Sequence, residues 1–292
     1  MIETQTHIAL SQENPIRIQE YGVGVFDYCS TKSALKKALK KGLITVNGSI
    51  ATTATYIYGG EEIVLKVSEN KTVSKKLVFP LEVLFEDAYL AIIHKPAGIL
   101  VSGNRFKTIF NALPQNLRKS NLPDACTPQP IHRLDYATTG VVMTGKTSNS
   151  IRKLNTLFKE KEIRKTYYAI TIGVMTTQGE ITTAIANKTS HSSYQVLKSV
   201  SSPRFGTLNL VKLDPITGRR HQLRKHLASI GNPILGDRDY GTEKLILKGK
   251  GLYLHAYSLA FVHPFTGAAI VVKSDLPKRF MKVFPDTILP EI

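Results

Sequence analysis

A polar, aperiodic run from Ser68 to Lys76, SENKTVSKK, divides the chain and sets the first limit on its fold. It has no hydrophobic period and ends in two lysines, so it reads as a linker between bodies that each bury their own core. The expected organisation is a small module over 1–67, a linker over 68–77 and a large domain over 78–292. Hydrophobic residues make up 42% of the 292, enough to fill a sizeable core in each body.

Within the module, SALKKALKKG from Ser33 places Leu35, Ala38 and Leu39 on one helical face and Lys36, Lys37, Lys40 and Lys41 on the other, with Gly42 as the stop. Val46-Asn47-Gly48-Ser49 reads as a strand entering a tight hairpin, because Asn-Gly tolerates the positive φ such a turn needs. The strand Ile63 to Val67 follows Gly59-Gly60. Beyond the linker, the segment from Leu81 to Gly98 reads as a hairpin around Glu86-Asp87 ending in a Pro-Gly loop. Asn104 to Pro130 is expected to be a long, partly mobile loop, with a short helix from Thr108 and an extended, proline-rich approach to Ile131. Ser148 is placed as the cap of a helix carrying Ile151, Leu154, Leu157 and Phe158 inward. A further helix is expected over Arg219 to Ile230, stopped by Gly231. With the strands between them, these elements define an α+β chain: a large domain with a mixed or antiparallel sheet, preceded by a small α+β module.

The charge narrows the partner. Lys and Arg number 39 against 22 Asp and Glu, a net +17, which favours a polyanion, with nucleic acid first. Cys29 and Cys126 lie far apart without CxxC spacing, which argues against a disulfide framework or zinc site and for the reducing cytoplasm. The first residues lack a basic stretch followed by an apolar core, and no apolar run approaches the roughly 18 residues of a membrane span.

The chemistry concentrates in Ile131 to Lys146, IHRLDYATTGVVMTGK. One carboxylate, Asp135, stands between the basic pair His132-Arg133 and a small-residue turn leading into the apolar strand Val141 to Met143. An Asp beside cations stays ionised, as a nucleophile or base requires; the same pattern also suits a structural salt bridge.

The segment resembles the HRLDxxTSG signature of RluA-type pseudouridine synthases, with Thr139 where that family usually has Ser, a change that keeps the hydroxyl and adds a methyl for tight packing. Further blocks are similar to the family's in the same order. They are Lys95-Pro96-Ala97-Gly98, then Lys165, Tyr167, Ala169 and Gly173, then TGRRHQLRKHL from Thr217 with its extension to Gly241, and Leu254, His255, Ala256, Leu259, His263 and Pro264. The resemblance spans roughly Phe79 to Val283. It implies a pseudouridine synthase domain that flips a uridine out of structured RNA, ribosomal or transfer, and isomerises it without metal or organic cofactor. Asp135 would act at the ribose, either attacking the anomeric carbon or removing the 2′ proton. Tyr167 would stack on the uracil and serve in proton transfer, and Arg224 would pair with Asp135. Arg133 would fill the gap left by the extruded base, His132 would orient the loop or touch substrate, and Arg219 and Arg220, preceding Arg224 on the same helix, would meet phosphates. Asp237 is assigned a turn-stabilising role. The module resembles the alpha-L RNA-binding motif of ribosomal small-subunit proteins, with Lys36, Lys37, Lys40 and Lys41 facing phosphate, although Arg17-Ile18-Gln19 replaces the usual Arg-Leu-Asp opening. A monomer is expected, because the RNA supplies the extended interface. The competing reading is a non-catalytic RNA-binding protein or chaperone on the same fold; the presence of Asp135, Tyr167 and Arg224 together favours the enzyme. A zinc deaminase would need HxE and PCxxC, which are missing.

Overall fold

The computed structural model describes residues 2–68, 77–247, 249, 251–285 and 287–290. Most of the expected linker, 69–76, lies outside the described residues.

The module comprises β1 (Ile2–Ile8), β2 (Ile16–Arg17), α1 (Ile18–Tyr21), α2 (Lys32–Lys40), β3 (Ile44–Val46), β4 (Ser49–Ile50), β5 (Tyr56–Ile57) and β6 (Glu62–Ser68). Thr31 caps α2 by accepting from the Ala34 amide at 3.1 Å. The helix buries Leu35, Ala38 and Leu39 against Ile18, Ile44 and Leu65, and its four lysines are exposed. Asn47 and Gly48 adopt φ of 47° and 79°, making the β3–β4 turn as the dipeptide requires. The unforeseen element is β1, which pairs antiparallel along all of β6, from Ile2 opposite Ser68 to Ile8 opposite Glu62. Its sequence, IETQTHI, has no apolar alternation, so backbone hydrogen bonds rather than a buried face hold it there.

The large domain is built on one ten-stranded sheet. Its elements in chain order are β7 (Glu82–Glu86), β8 (Leu90–Lys95), α3 (Ile109–Asn116), β9 (Ala125–Pro130), β10 (Thr139–Thr147), α4 (Ser148–Glu160), β11 (Arg164–Ile172), β12 (Gln178–Ile181), β13 (Ser192–Ser202), β14 (Gly206–Pro215), α5 (Gln222–Ser229), β15 (Leu254–Val262), β16 (Ala269–Lys273) and α6 (Lys278–Met281). The strand order is β12-β13-β14-β11-β15-β10-β8-β7, with β9 on β10 and β16 on β15. Pairing is antiparallel except where Thr139 and Gly140 of β10 run parallel to His255 and Ala256 of β15. That junction joins two half-sheets, each with its own core: Leu90, Ile92, Val141 and Leu154 in one, Tyr168, Val211, Leu227 and Phe280 in the other.

Three expectations change here. The short helix from Thr108 and the extended approach to Ile131 are present, but that approach is more than loop: it is β9, paired with the edge of β10, where Pro128 and Pro130 can sit without breaking a ladder. The cap of α4 is Thr147, whose hydroxyl accepts from the Ser150 amide while the Ser150 hydroxyl accepts from the Thr147 amide, so Ser148 is the first helical residue. Helix α5 starts at Gln222, three residues later than periodicity suggests: His221 is left-handed, with φ of 55°, and the Gln222 carboxamide accepts from the Arg219 amide. Arg219 and Arg220 therefore lie on the loop that enters α5, not on the helix.

The module contacts the large domain through side chains. Arg152 of α4 donates to the Tyr21 carbonyl at 3.1 Å, with its guanidinium 4.8 Å from that ring, and Thr127 of β9 donates to Asp27 at 2.8 Å. Among the described residues no helix is long and apolar enough to cross a membrane.

Candidate active site

Asp135 sits on the loop that feeds β10 into the junction between the half-sheets, and long-range contacts fix that loop. At Gly140 a Cβ would lie 2.0 Å from the Ala256 carbonyl oxygen, and φ is 117°, so only glycine lets β10 approach β15 this closely. Lys95, fully buried at the end of β8, donates to the carbonyls of Pro96, Tyr136 and Thr138 at 3.0, 3.3 and 2.8 Å. Burial lowers this ammonium to about 8, and the nearby Asp135 charge opposes the shift. The Gly98 amide also donates to the Tyr136 carbonyl, at 2.8 Å, so the Lys-Pro-Ala-Gly segment grips the loop from beneath. On the far side, Nε2 of His255 lies 3.1 Å from the Ser274 carbonyl, which can only accept. Nδ1 of His255 is therefore unprotonated and accepts from the Thr139 hydroxyl at 2.8 Å. Thr139 thus puts its hydroxyl to work and packs its methyl in a nearly closed environment.

The Asp135 carboxylate faces a cleft of about 670 Å³. Its Oδ1 lies 3.6 Å from Nε2 of His221, and its Oδ2 lies 3.6 Å from Arg224. Both distances exceed a hydrogen bond, so neither basic side chain occupies the lone pairs of the carboxylate. The closer partners of Arg224 are other acids. Its Nε and one terminal nitrogen engage Asp237 at 2.7 and 2.6 Å, and the same terminal nitrogen meets Asp239 at 2.7 Å. Burial alone would lower the Arg224 pKa, but the hydrogen bonds it donates to Asp237 and Asp239 outweigh that and hold the guanidinium above its ordinary range. Asp237 also accepts from the amides of Asp239 and Tyr240 at 3.0 and 3.1 Å, so its turn role is present and the arginine pair is added to it.

Tyr167 lines the cleft from β11, and burial, with a contribution from Asp135, raises its phenol well above the usual tyrosine range. His132 is turned to the loop: its Nε2 accepts from the Met143 amide at 3.1 Å, its ring packs 4.8 Å from Phe158, and burial and Lys165 push it down to about 3. Arg133, Arg219 and Arg220 are exposed on the rim. Lys36, Lys37, Lys40 and Lys41 do not line this cleft. Two residues of the site escape the sequence pattern. His221, whose Nδ1 lies 2.9 Å from the Tyr240 hydroxyl, faces Asp135 only because its backbone is left-handed, and Asp239 reaches Arg224 only because the Asp237 turn folds it back.

This arrangement, a carboxylate facing a basic cleft on a large, mostly antiparallel sheet, has known counterparts. Residues 89–229 match the family described as RNA pseudouridylate synthase. An RNA pseudouridine synthase of Aquifex aeolicus is 32% identical over 282 residues, covering 87% of this chain and 88% of that protein. Ribosomal large subunit pseudouridine synthase C of Rickettsia bellii is 32% identical over 284 residues, covering 87% and 92%. The solved structure of human RNA pseudouridylate synthase domain containing 4 aligns with a TM-score of 0.56 at 27% identity, covering 68% of this chain and 90% of that one. The chain belongs to the RNA pseudouridine synthase family, and it is an isomerase of uridine in RNA.

Proposed function

We propose that the substrate is a uridine in structured large-subunit ribosomal RNA, and that Asp135 is the carboxylate that acts on its ribose. The name of the Rickettsia bellii relative supports the choice of RNA. The observation that carries the role of Asp135 is its placement: a clamped loop presents the carboxylate to the cleft, with His221 and Arg224 each 3.6 Å away and neither bonded to it.

The target nucleotide is flipped from its stack at a cost of about a few kcal/mol, which contacts in the cleft offset. Arg133, exposed two residues before Asp135, fills the space the base leaves. Asp135 attacks the anomeric carbon or takes the 2′ proton, and the bond from that carbon to uracil N1 breaks. The uracil, held against Tyr167, turns and rejoins through C5. The hydrogen on C5 leaves as a proton and N1 gains one, so the reaction is a net isomerisation. Tyr167, held neutral by burial, serves as a proton donor or relay and is no standing base. Arg224, neutralised by Asp237 and Asp239, orients Asp135 without titrating. Arg219 and Arg220 on the rim and the lysine face of α2 meet phosphates. The protein works in the cytoplasm, where ribosomal RNA is made and modified.

The test is a map of pseudouridines across cellular RNA in a deletion strain, complemented with the native gene or with Asp135→Ala. A large-subunit uridine should lose its mark in the deletion and the Ala strain and regain it with the native gene. A mark restored by Asp135→Ala would remove Asp135 from the chemistry, and a lost mark confined to transfer RNA would overturn the substrate.

A further inference from the structure

The cleft lining divides by charge balance. Beside Asp135, Arg224 has Asp237 and Asp239 and His221 has Asp135 itself, while Arg133, Arg219 and Arg220 are exposed to water on the rim. The stretch contributed by the end of α4 and the start of β11 is different. It presents Lys159, Lys161 and Lys165 to the cleft, and among the described residues none of them makes an ion pair with a carboxylate.

Lys165 is the informative member. It is half-buried, and both burial and the adjacent Lys161 hold its ammonium below the usual lysine range, with no carboxylate acting in the other direction. A cation withdrawn from water beside a second cation, with no counter-ion, opposes folding and is retained where an anion arrives from outside. Local structure aims the pair. Lys161 ends α4 in a left-handed conformation, φ 64°, its amide tied to the Leu157 and Phe158 carbonyls, which turns the chain along the rim before β11 begins. On β11, Lys165 and Tyr167 stand two residues apart and both line the cleft. Two residues of a strand span about 7 Å, close to the distance from the base of one nucleotide to its phosphate.

We infer that Lys161 and Lys165 form a phosphodiester subsite that grips the backbone of the flipped uridine itself, separate from the rim contacts of Arg219 and Arg220. The inference rests on the synthase reading and adds a direction to it: the base lies against Tyr167 and its own phosphate against Lys165.

The test uses purified full-length protein and, as probe, total RNA from a deletion strain grown on uridine tritiated at C5, since each isomerisation releases that hydrogen to water. Lys165→Met should lower kcat/KM about tenfold, mainly through KM, and should make the fall of log kcat/KM with log salt shallower by about one unit, the loss of one phosphate contact. Lys165→Arg should retain the native slope. Lys165→Met should also melt at the native temperature or above it, because an uncompensated charge has been removed. An unchanged salt slope, a loss confined to kcat, or a lowered melting temperature would each overturn the subsite, the last by making Lys165 a structural lysine. Absence of tritium release by the native protein would overturn the synthase reading itself, and the subsite with it.

Discussion

The Asp135 loop and helix α2 are both basic, polar features of one RNA-modifying chain, and they are built in opposite ways. Helix α2 is local: a threonine cap, three buried apolar residues and four exposed lysines, all within a dozen positions of sequence. The loop is assembled from a distance. Lys95 reaches the Tyr136 carbonyl 41 residues away, and Thr139 meets His255 at a separation of 116. The chemistry proposed for Asp135 at one ribose carbon depends on placement to within a fraction of an ångström, which only converging tertiary contacts supply, whereas the attraction of phosphates proposed for α2 acts over nearly 10 Å and tolerates a helix face. Damage to the loop should therefore be nearly all-or-none, and damage to the helix graded and sensitive to salt.

The sharpest break is Asp135→Asn. It keeps the side-chain shape and removes the charge, so tritium release in single-turnover assays should fall by at least about a thousandfold while the melting temperature holds. Retained activity would transfer the chemistry to another group and dissolve the contrast between the two regions.

Next in size is the support beneath the loop. The Asp237 side chain is closed to solvent and pairs two-pronged with Arg224, whereas that of Asp239 is 60% exposed. Asp237→Ala leaves a buried guanidinium half-paired and should cost about 3–5 kcal/mol in urea unfolding, with kcat lost as Arg224 shifts toward Asp135. Asp239→Ala should cost no more than about 1 kcal/mol. Equal costs would mean that the pair does not order the site.

How much of this was legible in the sequence tracks the same division. The lysine helix, the Asn-Gly hairpin and the Asp135 motif could be read from spacing and resemblance, because each is a short-range pattern. Strand β1 could not, since a polar edge strand carries no periodic signal, and the prolines before Ile131 gave an extended chain but not its partner, the free edge of β10. His221 lies inside a motif, but the left-handed backbone that aims it at Asp135 is a product of packing around Gln222 and Tyr240. Asp237 read as a turn residue because its amide contacts are local, and its pairing with Arg224 needs the fold.

A pH dependence tests the long-range half of the comparison more gently. Burial lowers His255 to about 4 and His132 to about 3, and both accept hydrogen bonds that only a neutral ring can take. In the unfolded chain these rings gain protons as pH falls through about 6.5, and in the folded protein they do not until about 4 and 3. The unfolded state binds more protons across that window, so stability falls as pH drops from 6.5 toward 4, by about 1.4 kcal/mol per unit from His255 alone. Urea midpoints at pH 7 and pH 5 measure this. The variant His255→Gln should be weaker at pH 7 and show a shallower decline, and an unaltered decline would assign the acid sensitivity elsewhere.

The smallest effect belongs to the local element. Replacing Lys36, Lys37, Lys40 and Lys41 with Gln leaves Leu35, Ala38 and Leu39 in the core, so the melting temperature should stay within about a degree of native, because exposed lysines in a helix contribute little to stability. At low salt, kcat/KM on the same tritiated RNA should fall about tenfold, and the deficit should shrink as salt rises, because phosphates screened from the native helix can no longer reward its charge. The value of kcat at saturating RNA should not change, since none of the four lysines lines the cleft. A large loss of kcat would mean that α2 sets the geometry of the site through the Tyr21–Arg152 contact, and the distinction between a local attractor and a long-range clamp would then fail at the joint between the two bodies.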